Sequence, residues 1–321
     1  MASPDAGHVK QNTTSGILLI LVAMTLVPMM DGLAKLLSAR YPVMEIVWAR
    51  YFFHLMILLP VVLSRYNRRD LLPKRPLLQV IRGGLLLLST ILFFAAIAVM
   101  PIADALALVF VSPLLVTALS PFLLGETIGP RRWAAVIVGF VGALIIIRPG
   151  IADIDTGTVL ALSAGIVYAL YMVATRKLSG TAPPLITLAY TALMGAIAMS
   201  AAVPFFWVAP TLDDLAMMMA MGGLAALGHY FLIKAVERAP VSLLAPFGYS
   251  EIVMATLIGY VVFGDFPDNW TWAGVAVIVV SGIYISLRER RRKDHPAAEA
   301  TIVAQAQGLL SLSEAEMNAR E

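Results

Sequence analysis

The residue best placed to do chemistry is Glu251, a carboxylate near the middle of an apolar run. Phe247 precedes it and Ala255 follows it by four positions, so in a helix the three share a face. Pro246 lacks a backbone donor and weakens the helix beside it, freeing a carbonyl that can face a cavity. A charge at a bilayer centre costs on the order of 3 kcal/mol and persists with a partner or a purpose. Glu251 is thus a candidate to bind and release protons, or to meet a substrate; the alternative is a structural bond to a neighbouring helix. His229, central in the preceding run, could exchange protons with Glu251 or bond the substrate, since imidazole ordinarily titrates near neutral pH. It could equally be held by a backbone carbonyl. Arg50 and His54 lie four apart on one helix face, and Arg50 could clamp a carboxylate or phosphate, or pair with Glu45 or Asp31. Asp31 and Lys35 are spaced to neutralise each other, with a gating role as the alternative. Glu45, at the outer end of its run, joins them as a gating or ion-pair candidate. Arg82 opens the third run and is expected to snorkel to the interface.

Aromatic residues supply the other available chemistry. Tyr168, Tyr171 and Met172 share one face, with Phe93, Phe94 and Phe110 elsewhere; all could stack on a planar or cationic ligand or simply pack. Several activities are missing their parts. There is no cysteine, which excludes disulfides, thiolate nucleophiles and Cys-ligated metals, and no HExxH occurs. Gly248-Tyr249-Ser250 lacks the second glycine of a nucleophile elbow. Asp31-Gly32 resembles the opening of a phosphatidyltransferase signature, but the acidic pairs required downstream are absent. A membrane-embedded lipid-modifying enzyme, or a passive channel or sensor, remains the alternative class. No cofactor and no metal site are expected.

The elements that must position these residues are set by composition: 60% apolar and 13% charged residues over 321 positions. Ten runs long enough to cross a bilayer are expected at 16–39, 43–64, 77–99, 105–124, 133–147, 157–174, 185–207, 215–236, 241–263 and 272–287. They must be helices, because open strands leave backbone groups unpaired in hydrocarbon and no barrel-like alternation is present. The first run is too long for a signal-peptide core and is expected to persist as a span. Trp133, Trp270 and Trp272 fall at helix starts as interfacial anchors, and Gly139, Gly142, Gly274 and Gly282 suit close packing of the fifth and tenth spans.

Sixteen Lys and Arg residues fall in the N-tail, alternate connections and the start of the C-tail, including Lys10, Arg65, Arg68, Arg131, Arg176, Arg238 and Arg290; only Arg40 and Arg148 lie on the opposite side. That opposite side carries Asp153, Asp155, Asp213, Asp214, Asp265 and Asp268. The positive-inside rule then places both termini in the cytoplasm and requires an even number of spans. The same clustering beside spans argues against nucleic acid as partner. It suits anionic lipid headgroups, particularly at the start of the C-tail.

An internal repeat organises the spans. Residues 100–130 align without a gap onto 239–269, pairing Pro101 with Pro240, Thr117 with Thr256, and Gly125-Glu126 with Gly264-Asp265. Lys35-Leu36 and Pro42 match Lys177-Leu178 and Pro184 at nearly the same offset. Five spans per half is odd, so the halves must enter the membrane in opposite senses, an architecture that gives two similar gates around a midplane site.

The run from Ala103-Asp104-Ala105 through Ser112-Pro113-Leu114 to Gly125-Glu126, and its counterpart from Ala239-Pro240 to Phe263-Gly264-Asp265 and Ser281-Gly282-Ile283-Tyr284, resembles the drug/metabolite transporter superfamily, EamA type. The resemblance implies an all-α integral membrane protein of ten transmembrane helices in two inverted five-helix EamA repeats. It implies a cytoplasmic N-tail at 1–15, repeats at 16–148 and 157–287, and a cytoplasmic C-tail at 288–321. It further implies a carrier of small polar metabolites, amino-acid-like, flavin-like or adenosyl-type, working by alternating access in a bacterial inner membrane, with protons as a candidate coupling ion. Helices one, three, four, six, eight and nine would line the cavity, which favours Tyr168, His229 and Glu251. The segment Phe247-Gly248-Tyr249-Ser250-Glu251 is similar to branches that include riboflavin and S-adenosylmethionine uptake proteins. Substrate, direction, coupling stoichiometry and the choice between monomer and homodimer stay open.

Overall fold

In a computed structural model the described residues are 13–67, 69, 71–149 and 155–288. The expectations for Lys10, Arg68, Asp153, Arg290 and most of both tails lie outside them. The described residues form helices α1 (Thr13–Ser38), α2 (Val43–Arg65), α3 (Pro76–Ile97), α4 (Ile102–Val109), α5 (Ser112–Leu124) and α6 (Pro130–Ile147) in the first half. The second half contains α7 (Thr156–Lys177), α8 (Pro184–Ala202), α9 (Leu212–Arg238), α10 (Val241–Gly248) and α11 (Ser250–Ile258), closing with α12 (Asn269–Arg288). Together they make ten membrane-spanning segments of 18 to 27 residues. At about 1.5 Å per residue the shortest still reaches roughly 27 Å.

Helix starts carry the expected chemistry. Proline occupies the first turn of α3, α5, α6 and α8, where a missing N–H costs nothing. Asp155 caps α7 by accepting from the Thr158 N–H at 2.7 Å, and that bond holds its carboxyl below the usual carboxylate range. The fourth, fifth and tenth spans begin at Ile102, Pro130 and Asn269, each three residues earlier than the apolar runs predict. First turns tolerate Pro, Asp and Arg, and an apolar window does not see them. Expected as continuous, the fourth and ninth spans are each interrupted, at Phe110-Val111 and at Tyr249.

The repeat is visible in the backbone. Gly125 and Gly264 both end their spans with positive φ, 68° and 74°, which a side chain disfavours. In each turn the next N–H reaches back six residues: Glu126 to the Ser120 carbonyl at 3.3 Å, Asp265 to the Gly259 carbonyl at 3.0 Å. Packing between halves follows the same two-fold logic. The α1–α9 contact is matched by α7–α3, α1–α11 by α7 with α4 and α5, and α2–α9 by α8–α3; α2 and α8 meet as counterparts. The fifth and tenth spans touch where a Cβ on Gly142 or Gly274 would strike the other's carbonyl, so small residues set their closeness.

Polarity is arranged for lipid. Leu63, Ile137, Ile197 and Val280 are each more than half exposed, whereas Asp31, Glu45, Arg50, His54 and Arg82 are 6% exposed or less. One large apolar core draws on α1–α4, α6–α9, α11 and α12.

Candidate functional site

For orientation, the face where α1 begins is here termed proximal and the other distal. Between them the interior charges gather into one cluster. Asp31 of α1 lies within electrostatic reach of both Arg50 of α2 and Glu251, in the first turn of α11. Arg50 is held from several sides: Nε donates to the Met30 sulfur at 3.3 Å and Nη1 to the Thr90 hydroxyl at 3.2 Å. Its guanidinium lies 4.8 Å from the Tyr51 ring centroid and 5.9 Å from that of Phe94. A thioether is a weak acceptor, so this arginine is not satisfied by strong partners alone. Among the described residues Arg50 makes no direct ion pair with Glu45 or Asp31. Glu45 is buried at the distal end, accepting from the Val208 N–H at 2.9 Å.

His54 and His229 meet from α2 and α9, their rings tilted by 34° with centroids 5.6 Å apart. A hydrogen bond of 2.8 Å joins His229 Nδ1 to the Ala225 carbonyl, so Nδ1 is the protonated nitrogen and Nε2 is left as acceptor. The backbone-held arrangement therefore coexists with a ring directed at the cluster. His54 is buried and its Nε2 has no hydrogen-bond partner among the described residues. Glu251 is half-buried, and the break at Tyr249 interrupts the helical face it was expected to share with Phe247. Phe247 belongs instead to α10 and packs against the α1–α9 cluster of Ile20, Ala23 and Ala235.

Tyr168 and Tyr171 of α7 are stacked at a tilt, 5.4 Å between centroids, and Tyr168 lies within electrostatic reach of Glu251, Arg50 and Arg82. The breaks of the fourth and ninth spans also meet: Phe110 and Tyr249, equivalent positions of the two repeats, make an edge contact at 5.3 Å. Phe93 and Phe94 sit side by side on α3, the latter buried under Arg50. Arg82 corrects the snorkelling expectation. It is 5% exposed and turned inward, bonded to Thr175, Thr187, Thr191 and Tyr171. Six residues into α3 it is about 9 Å from the helix start, and the neighbouring α7 and α8 offer acceptors nearer than the interface does.

At the two faces the repeats are tied across. Lys35, at the distal end of α1, does not turn back to Asp31 as its spacing predicts. Its ammonium donates to Asp265 at 2.8 Å and to the Met100 carbonyl at 2.9 Å, over the Phe263 ring. At the proximal end of α7, Arg176 pairs with Glu126 at 2.7 Å. Each pair joins the first helix of one repeat to the Gly-acidic turn of the other. The turn was legible as a repeat marker; that its carboxylates are ion-pair partners was not, because pairing across 230 residues depends on how helices dock. A further distal pair, Arg148 with Asp268 at 2.7 Å, links the ends of α6 and α12. Among the described residues no three His, Asp or Glu side chains converge as a metal site.

With this geometry in hand, similarity to known proteins is informative. The model of the EamA-like transporter family matches residues 14–148 and 155–288. The chain is 29% identical to the S-adenosylmethionine uptake transporter of Rickettsia bellii (strain RML369-C) over 261 residues, 81% of this chain and 89% of that one. It is 31% identical to the pseudopaline exporter CntI of Pseudomonas aeruginosa (strain UCBPP-PA14), covering 85% of this chain and 96% of that one. A crystal structure aligns with a TM-score of 0.62 over 87% of this chain and 98% of its own, at 22% identity, a likeness of fold alone.

Proposed function

The chain belongs to the EamA-like transporter family, and from that premise we propose a proton-linked secondary carrier of a small polar metabolite, working by alternating access in a bacterial inner membrane. Family membership sets aside the lipid-modifying enzyme. The proximal face is then cytoplasmic and holds both tails, as the distribution of Lys and Arg requires. The substrate is amino-acid-like, flavin-like or adenosyl-type; the uptake relative's name favours the last. Basic proximal connections meet anionic headgroups, and monomer or homodimer serves equally well.

The observation that carries this reading is the pair of symmetry-related ion pairs, Lys35–Asp265 and Arg176–Glu126, at opposite faces of one buried charged cluster. With both formed, the cluster is closed to either side. Opening one while keeping the other exposes Asp31, Arg50, His229 and Glu251 to a single compartment, which is the requirement for alternating access. Glu251 then exchanges a proton with whichever side is open. Tyr168, Tyr171 and Phe110 supply the walls against which a planar group stacks.

The test is flux in proteoliposomes holding the purified protein. Saturable uptake or counterflow of an adenosyl, flavin or amino-acid substrate that weakens when the proton gradient is collapsed supports the carrier. Flux proportional to concentration without saturation identifies a channel, and absence of flux for every class identifies a sensor. Tags on the two termini that report different faces would overturn the orientation.

A further inference from the structure

We propose that Arg82 and the Tyr171 hydroxyl form a docking site for an anionic group of the transported molecule, a carboxylate or a phosphate. The inference rests on the carrier reading and adds a recognition element to it. Arg82 is buried, and among the described residues the acceptors of its guanidinium are uncharged. Nε donates to the Thr175 hydroxyl at 2.8 Å, Nη1 to the Thr187 carbonyl at 3.2 Å and the Thr191 hydroxyl at 2.5 Å, and Nη2 to the Tyr171 hydroxyl at 2.8 Å. These four bonds leave one Nη2 hydrogen of the five that a guanidinium carries.

The direction of the surrounding bonds is fixed. Thr175 gives its own proton to the Tyr171 carbonyl at 2.8 Å and Thr191 gives its proton to the Thr187 carbonyl at 3.0 Å. Both threonine oxygens can therefore only accept from Arg82. The Tyr171 oxygen also accepts from Arg82, so its hydroxyl proton remains to be donated, beside the unused Nη2 hydrogen. Two adjacent donors, one of them on a permanent cation, suit an oxyanion. Arg50 has Asp31 within electrostatic reach; no hydrogen-bonded carboxylate serves Arg82 among the described residues. A buried cation lacking a counter-ion is costly, and an incoming anion removes that cost. The site is continuous with the cluster, since Arg82 is within electrostatic reach of His229 and Tyr168.

The experiment measures thermal stabilisation and equilibrium binding of the purified full chain with two matched pairs of probes. One is S-adenosylmethionine against its decarboxylated form, the other riboflavin 5′-phosphate against riboflavin. In the wild-type protein the member of a pair that carries the carboxylate or phosphate binds more tightly than the partner that lacks it. Tyr171→Phe keeps the ring over Arg82 and removes the free proton, so it lowers the affinity of the carboxylate- or phosphate-bearing probe about tenfold relative to that of its partner. Arg82→Lys does the same, with loss of discrimination between members. An unchanged ratio between members of a pair in Tyr171→Phe overturns the site, because a purely structural Tyr171 would weaken both alike or neither. Failure of both the carboxylate-bearing and the phosphate-bearing probe to bind the wild-type chain also overturns it, whereas the carrier reading is judged separately by flux.

Discussion

Breaking the distal ion pair should open the molecule on that side, and the size of the effect follows from burial. The Lys35 and Asp265 side chains are 15% and 31% exposed, with 2.8 Å between ammonium and carboxylate. Exposed pairs contribute up to about 1 kcal/mol and fully buried ones lose about 3–5 kcal/mol when one partner goes. A partly buried pair falls between, at roughly 2 kcal/mol, and Lys35 keeps its bond to the Met100 carbonyl in either case. At about 1.4 kcal/mol per decade, Asp265→Asn should raise the distally open population some ten- to thirtyfold. The proximal pair, at 38% and 34% exposed, is closer to a surface bridge; Glu126→Gln should raise proximal opening by no more than about fivefold. The assay exploits a chain with no cysteine. Ala103→Cys, buried three residues beyond Met100, reports distal opening, and Ala174→Cys, buried beside Arg176, reports proximal opening. Maleimide labelling rates scale with the open fraction when opening is fast. Lys35→Gln combined with Asp265→Asn should do little more than either alone. Unchanged labelling at Ala103→Cys in Asp265→Asn, or equal acceleration of both reporters, would refute the reasoning.

Three further outcomes are expected. Glu251→Gln should insert and fold normally yet carry substrate without pH dependence, so a wild-type flux profile across pH 5 to 8 in that variant rules out Glu251 as the coupling group. Gly274→Ala drives a Cβ into the Gly142 carbonyl and Ile146, so the fifth and tenth spans must separate; a loss of about 1–3 kcal/mol, seen as a lower melting temperature in detergent, is expected, and an unchanged one contradicts the packing. Asp155→Ala should cost about 1 kcal/mol through loss of the α7 cap. The folded carboxyl lies below its unfolded value of about 3.9, so the wild-type cap contributes fully above that pH and fades only as pH falls through the lower folded value. A variant–wild-type difference that persists undiminished at pH 2 argues against the cap.

What the chain disclosed before folding was what depends on neighbours in sequence. Span number followed from apolar run length, and the Gly-acidic turns at 125–126 and 264–265 marked the repeat because left-handed glycine is a local requirement. Inward placement of Asp31, Arg50, His54, His229 and Glu251 followed from their position in lipid-length runs. Contacts between distant helices stayed hidden. Local spacing paired Lys35 with Asp31, yet Lys35 sits at a helix end where the turn after the ninth span comes closer. Arg82 looked interfacial because it is near a helix start, and acceptors on the distant α7 and α8, the threonines and Tyr171, make its burial tolerable. The break after Phe110 had a hint in Ser112-Pro113, whereas that at Tyr249 has no proline at the matching place: Pro246 lies three residues earlier, inside α10.

The meeting of Phe110 with Tyr249 has one more implication. Both rings sit at the joint of their own half, so bending at one joint moves a ring packed against the other. Yet one ring bears a hydroxyl crowded against Gly282 and the other bears none. A hinge shared by unequal leaves swings more easily one way, which would let a machine of two nearly equal, inverted halves acquire a preferred direction through single-atom differences at its pivot.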